Sequence, residues 1–146
     1  MWRRMRRLER LARERVPAEG EQGAVTRVVG DTFESVVRAS DRDVLLQVYA
    51  PWCGHSKKLS SIYEALGATF ERVPSVTIAQ MDGTVNEVPG LEYEGYPSLF
   101  FFTASNRRYD VGDDVELTLR GLSDFVRAHA ELPIDTAAAA ATKEEL

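Results

Sequence analysis

The sequence holds very little sulfur and almost no imidazole. One cysteine, Cys53, and two histidines, His55 and His129, stand in 146 residues. A lone thiol excludes an internal disulfide framework and a cysteine-rich zinc site. Two histidines leave little for a histidine-based metal centre, so no metal and no cofactor are expected. No apolar run approaches the roughly 20 residues of a membrane-spanning helix. A basic excess is missing too: the net charge of -5 argues against general nucleic-acid binding. The charge is unevenly placed. Residues 1–15 carry seven Arg and two Glu, a net of +5, which leaves -10 on residues 16–146. What remains is ordinary for one globular domain, with 44% hydrophobic and 28% charged residues and length enough to bury a core unaided.

Trp2, Met5, Leu8, Leu11 and Ala12 recur at three- or four-residue spacing with arginines between them, the pattern of a short amphipathic helix. It lacks the apolar core of about 7–15 residues that a secretory signal needs. It reads as a solvated helical arm or an interdomain remnant, or, more pointedly, as a patch for acidic lipid or an acidic partner. Pro17 to Gly23 reads as a linker, so arm and linker fill residues 1–23.

Residues 24–132 alternate strand and helix patterns. Ala24–Val29, Asp43–Ala50, Val76–Met81, Leu99–Phe102 and Arg108–Val111 read as strands. Helices are expected from the Asp31–Glu34 capping-box spacing to Ser40, from Cys53 to Phe70, briefly within Asn86–Tyr96, and over Thr118–Ala130. The order β-α-β-α-β-α-β-β-α implies an α/β fold with helices on both faces of a mixed sheet. Residues 133–146 read as an alanine-rich tail with little packed structure.

Cys53 sits in Ala50-Pro51-Trp52-Cys53-Gly54-His55-Ser56-Lys57, where a buried strand hands over to a helix. Free amides and the positive end of a helix dipole favour an anion there. A thiol so placed has its pKa lowered from about 8.5 into the range of roughly 3.5–7.5, and a protonated His55 would add positive charge. A lone cysteine is more often a small buried hydrophobe, but Gly54, His55, Ser56 and Lys57 are poor core neighbours.

Ala50-Pro51-Trp52-Cys53-Gly54-His55 with Lys58-Leu59 resembles the active site of the protein disulfide isomerase family, whose catalytic domains have the thioredoxin fold. The resemblance runs from about Val25 to Glu131, through Val48-Tyr49, Ile78-Ala79-Gln80-Met81-Asp82, Asn86-Glu87-Val88 and Gly95-Tyr96-Pro97-Ser98-Leu99. It implies catalytic roles for Cys53 and His55, with Trp52, Gly54 and Ser56 completing the motif. It implies that Pro97 is the family's cis-proline, with the backbone beside Tyr96 and Pro97 pairing with a bound peptide. The last four residues, Lys143-Glu144-Glu145-Leu146, resemble the endoplasmic reticulum retrieval signal. They imply luminal residence and a retrieval receptor as partner.

The departures from the family form a set. Ser56 replaces the second cysteine of Cys-Gly-His-Cys. Gln47 replaces a buried Glu that relays protons, Gln80 the Lys that pairs with it, and Leu117 a mobile Arg, with Arg120 able to substitute only by a shifted geometry. Ser61 replaces a helix-kinking proline, which implies a straighter helix. Losing Glu and Lys together removes the unpaired buried charge that losing either alone would leave.

The reading that follows is a monothiol isomerase-like protein. It captures folding clients as mixed disulfides at Cys53, isomerises weakly, and cannot act as a dithiol oxidase. Release would fall to a client thiol, glutathione or a partner oxidoreductase. The alternative is a non-covalent peptide-binding chaperone module using the groove around Trp52, Tyr96 and Pro97. A third reading, a cluster-sharing Cys-Gly-x-Ser glutaredoxin, is opposed by Ala50-Pro51-Trp52 and by the carboxy-terminal tail.

Overall fold

Seven residues from Asp43 to Tyr49 form strand β2, paired along both edges. Apolar side chains on both of its faces force it to the middle of a sheet covered on both sides. The computed structural model describes residues 11–134. In it β2 lies between β3 (Val76–Asp82), which is parallel, and β4 (Ser98–Phe102), which is antiparallel. The two-residue β1 (Thr26–Arg27) extends the parallel side and β5 (Arg108–Asp110) the antiparallel side, giving the order β1-β3-β2-β4-β5.

Alternation along the strands sorts the core into two layers. Leu45, Ile78, Leu99 and Phe101 face helices α1 (Gly54–Phe70) and α2 (Leu119–His129), meeting Leu59, Tyr63, Leu66, Leu122 and Val126. Val44, Leu46, Val48, Met81 and Phe100 face the other way, onto Phe33, Val37 and Leu91. Each fully buried large apolar side chain contributes roughly 1.5–3 kcal/mol. Tyr63 ties α1 to the sheet, with its hydroxyl 2.6 Å from the Ala79 carbonyl and 3.0 Å from that of Leu45. α1 runs unbroken through Ser61. α2 starts at Thr118, whose hydroxyl accepts the Gly121 amide at 3.0 Å.

Three local expectations are corrected. Asn86–Tyr96 contains no helix: Pro89 and a left-handed Gly90 (φ +84°) break the spacing, and Leu91 and Tyr93 close the rear face of the sheet from a loop. The segment after Gly30 is a 3₁₀ turn (Gly30–Thr32) followed by one π turn (Glu34–Arg38), not an α-helix. Its start is held by the Val29 amide donating to Thr32 Oγ1 at 3.1 Å, while Asp31 pairs with Arg13 and Glu34 with Arg38. The basic arm is not helical where it is described, over Leu11–Arg15. It lies along the body: the Glu87 amide donates to the Ala12 carbonyl, the Glu14 amide to Asn86 Oδ1, and Arg27 pairs with Glu14. Trp2, Met5 and Leu8 fall outside the described residues.

Asp43 holds the far end of β2. Its buried carboxylate accepts the amides of Ala104 (2.9 Å), Glu131 (3.1 Å) and Leu132 (2.9 Å). Asp43→Ala strands three donors. It is expected to lower the unfolding free energy by about 3 kcal/mol, measured by urea denaturation; a loss within error of zero would remove this role.

Candidate active site

The site is built at the carboxyl end of β2. Ala50 is the last buried residue, and Pro51 has no amide to continue the ladder. The chain turns there, with the Cys53 amide donating to the Ala50 carbonyl at 3.1 Å. Cys53 caps α1 in an extended conformation, and its carbonyl accepts the first helical bond from Lys57 at 3.0 Å. The amides of the next residues therefore have no helical partner and face the sulfur.

The Cys53 thiol is partly exposed, and its pKa is lowered below the ordinary cysteine value. The Ser56 amide contributes most. Burial opposes it, and the His55 amide and the Ser56 hydroxyl add to the lowering. His55 thus acts on the sulfur through its backbone, while its ring lines a neighbouring cavity. On the other side the S–H donates to the Tyr96 carbonyl at 3.5 Å. The two protonation states have different partners: the thiol is held by Tyr96, the thiolate by the helix amides.

Ser56 sits one turn into α1 and is buried, its oxygen accepting the Ala50 amide at 3.3 Å. That bond orients the hydroxyl so that its proton is free to serve Cys53. Ser56→Ala is expected to raise the Cys53 pKa and Ser56→Thr to restore it in part, read from the pH dependence of alkylation. An unchanged profile in Ser56→Ala would make the serine a mere space-filler.

Trp52 projects from the turn, 70% exposed, and meets Tyr96 edge-on at 6.0 Å. The Tyr96–Pro97 peptide is cis, as the resemblance implied. Tyr93 packs on Tyr96 at 5.6 Å. Gly83 lies beneath them, where an added Cβ would come within 2.7 Å of the Tyr93 hydroxyl and 2.8 Å of the Tyr96 ring. Beside the sulfur, Lys58, Leu59, Ile62, Pro97 and Leu117 line a largely apolar cavity of about 490 Å³. Tyr93 has no signal of its own in the sequence, because it lies outside the motif.

Gln47 and Gln80 are register partners on adjacent strands and share the α1 face of the sheet. Gln47 is buried; Gln80 is half-buried, with Arg27 next in the row. Leu117 is exposed, and so is Arg120. Lys143 to Leu146 lie outside the described residues. Among the described residues no cluster of His, Cys, Asp or Glu has the arrangement of a metal site.

The thioredoxin family model matches residues 24–127. Protein disulfide isomerase-like 1-3 of Arabidopsis thaliana is 39% identical over 116 residues, 79% of this chain and 20% of that protein. Protein disulfide-isomerase A3 of Gallus gallus is 40% identical over 121 residues, 80% of this chain and 22% of that protein. The chain thus spans about a fifth of the length of these relatives. Among solved structures, the first thioredoxin domain of mouse protein disulfide-isomerase A4 superposes with a TM-score of 0.60 at 24% identity, covering 79% of this chain and 85% of that one. The Trx4 domain of ERdj5 gives 0.62 at 17% identity, covering 72% and 94%. The superpositions show that these domains share the fold of the chain, a mixed sheet flanked by helices. The chain belongs to the thioredoxin family, as a domain of the protein disulfide isomerase type.

Proposed function

We propose that this chain captures folding clients covalently in the endoplasmic reticulum lumen, through mixed disulfides at Cys53. The observation that carries the reading is the pairing of a thiolate-favouring Cys53 with a buried serine at position 56. The Cys53 thiolate attacks one sulfur of a client disulfide. One new S–S bond forms, the client bond breaks, and the displaced client sulfur leaves as a thiolate that takes a proton from water. As Cys53 loses its proton, the Tyr96 carbonyl loses its S–H donor and can accept an amide from the client backbone. Ser56 cannot attack the mixed disulfide. A client thiolate, glutathione or a partner oxidoreductase must do so, regenerating Cys53. When the attacking thiolate belongs to the same client, the net result is isomerisation with no change of oxidation state. One thiol cannot store an internal disulfide, so dithiol oxidase chemistry is closed to it. Lys143–Leu146 supplies the retrieval address.

The test is acid-quenched thiol trapping from a secretory compartment, comparing the chain with Cys53→Ala. Adducts that disappear with reductant and with Cys53→Ala support capture. The exposed Trp52 and the apolar cavity favour a second reading, a non-covalent peptide-binding module. Equal client recovery by Cys53→Ala would establish that reading instead.

A further inference from the structure

The cavity beside Cys53 does not end at Pro97. Pro97 and Leu117 also line a second cavity of about 520 Å³, and Tyr93 joins that one to a third of about 750 Å³. The first is apolar with Lys58 and His55 at its edge; the other two are acidic. Glu92 and Glu94 line both of them, Asp113 and Asp110 add to one, and Glu87 to the other. Among the described residues the one cation lining either acidic cavity, Arg108, is already used: it binds Asp110 at 2.9 and 3.3 Å and lies 5.1 Å over the Phe100 ring. Among the described residues no ion pair reaches Glu87, Glu92, Glu94 or Asp113. The aromatic row Trp52–Tyr96–Tyr93 runs alongside, from the sulfur into the acidic end. Aromatic faces beside unpaired carboxylates suit a guanidinium or ammonium group, which gains from both.

We propose that this continuous track selects clients whose reacting cysteine is flanked by arginine or lysine, the cation lying over Tyr93 between Glu92 and Glu94. The inference rests on the covalent-capture reading and adds to it a client class. The covalent step is unchanged: Cys53 thiolate displaces one sulfur of the client disulfide, which leaves as a thiolate.

The probes are three peptides of one length, each with a central cysteine in mixed disulfide with nitrothiobenzoate and flanked by Arg, Gln or Glu. Attack by Cys53 releases the coloured thiolate, and the second-order rate is read. The Arg probe is expected to react about tenfold faster than the Gln probe at low salt, with the Glu probe slower than both. The advantage should vanish as the Debye length falls from about 30 Å at 0.01 M to about 3 Å at 1 M salt. Glu92→Lys with Glu94→Lys, both on the surface, should reverse the order. Hydroxyethyl disulfide, small and neutral, isolates the thiol: if it fails to react, the capture reading falls. If it reacts normally while the three peptides react alike, the selection falls alone. A preference that emerges only after Arg3, Arg4, Arg6 and Arg7 are changed to Glu would make the chain's own amino-terminal segment the occupant and overturn the proposal.

Discussion

Cys53→Ala is expected to abolish reducible client adducts outright, and the native thiol to show an alkylation midpoint below that of an ordinary cysteine, about 8.5. Both follow from the cap position. The Ser56 and His55 amides stabilise the thiolate, and burial is too slight to offset them. At pH 7 an ordinary thiol is ionised to only a few per cent. Each tenfold gain in thiolate fraction brings only about a threefold gain in rate, because intrinsic nucleophilicity falls with basicity. The same shift links the site to stability. The folded pKa lies below the unfolded one, so the thiolate's contribution is complete above the unfolded value of about 8.5 and is lost as pH falls through the folded value. The stability advantage of native protein over Cys53→Ala should therefore grow as pH rises toward about 8.5 and level off above it, measured as urea midpoints. An alkylation midpoint at or above about pH 8.5, or an advantage that shrinks with rising pH, would contradict the assignment.

A lowered pKa also makes Cys53 a good leaving group. Capture through such a sulfur is intrinsically reversible, which suits a site with no resolving thiol of its own. Without Ser56→Cys, turnover depends on whatever thiol the surroundings supply, and added glutathione is expected to accelerate release.

Some of this was legible residue by residue. β2 declared itself as a continuous apolar run ended by Pro51, and α2 by Thr118 and its apolar stripe. Cys53 was readable as reactive because Gly54, His55 and Lys57 are poor core neighbours, and all three are exposed. The Asn86–Tyr96 stretch misled because Val88, Leu91 and Tyr96 are apolar for a different reason: they cover the rear face of the sheet from a loop. The arm misled because its fixing point is remote. Asn86 holds the Glu14 amide across 72 residues and also accepts the Gly30 amide, a knot that no local pattern encodes. The acidic track was unreadable for the same reason, since Glu92 and Asp113 meet only once β4 and β5 have paired.

Ser56→Cys is expected to recreate Cys-Gly-His-Cys and to form an internal disulfide, yet to resolve mixed disulfides slowly. A thiol at the buried position 56 must lose its proton before it attacks, and desolvation raises its pKa. Gln47, buried on the sheet face that α1 covers, cannot take that proton, and Leu117 offers no positive charge. Gln47→Glu alone would not serve. It would bury a carboxylate without a partner, and removing one member of a buried ion pair typically costs about 3–5 kcal/mol. Gln80 is Gln47's register partner on the neighbouring strand, on the same face of the sheet. Strand spacing of about 4.8 Å puts the ends of a Glu and a Lys there within reach of each other. The triple variant Ser56→Cys, Gln47→Glu, Gln80→Lys is therefore expected to resolve a preformed mixed disulfide about 10²-fold faster than Ser56→Cys, toward the lower end of what general base catalysis provides. Single-turnover release measures it, with a Cys-Gly-His-Cys relative as the upper reference. If Ser56→Cys alone matches that relative, Gln47 and Gln80 have no bearing on resolution, and Ser56 becomes a lone change in a site otherwise intact.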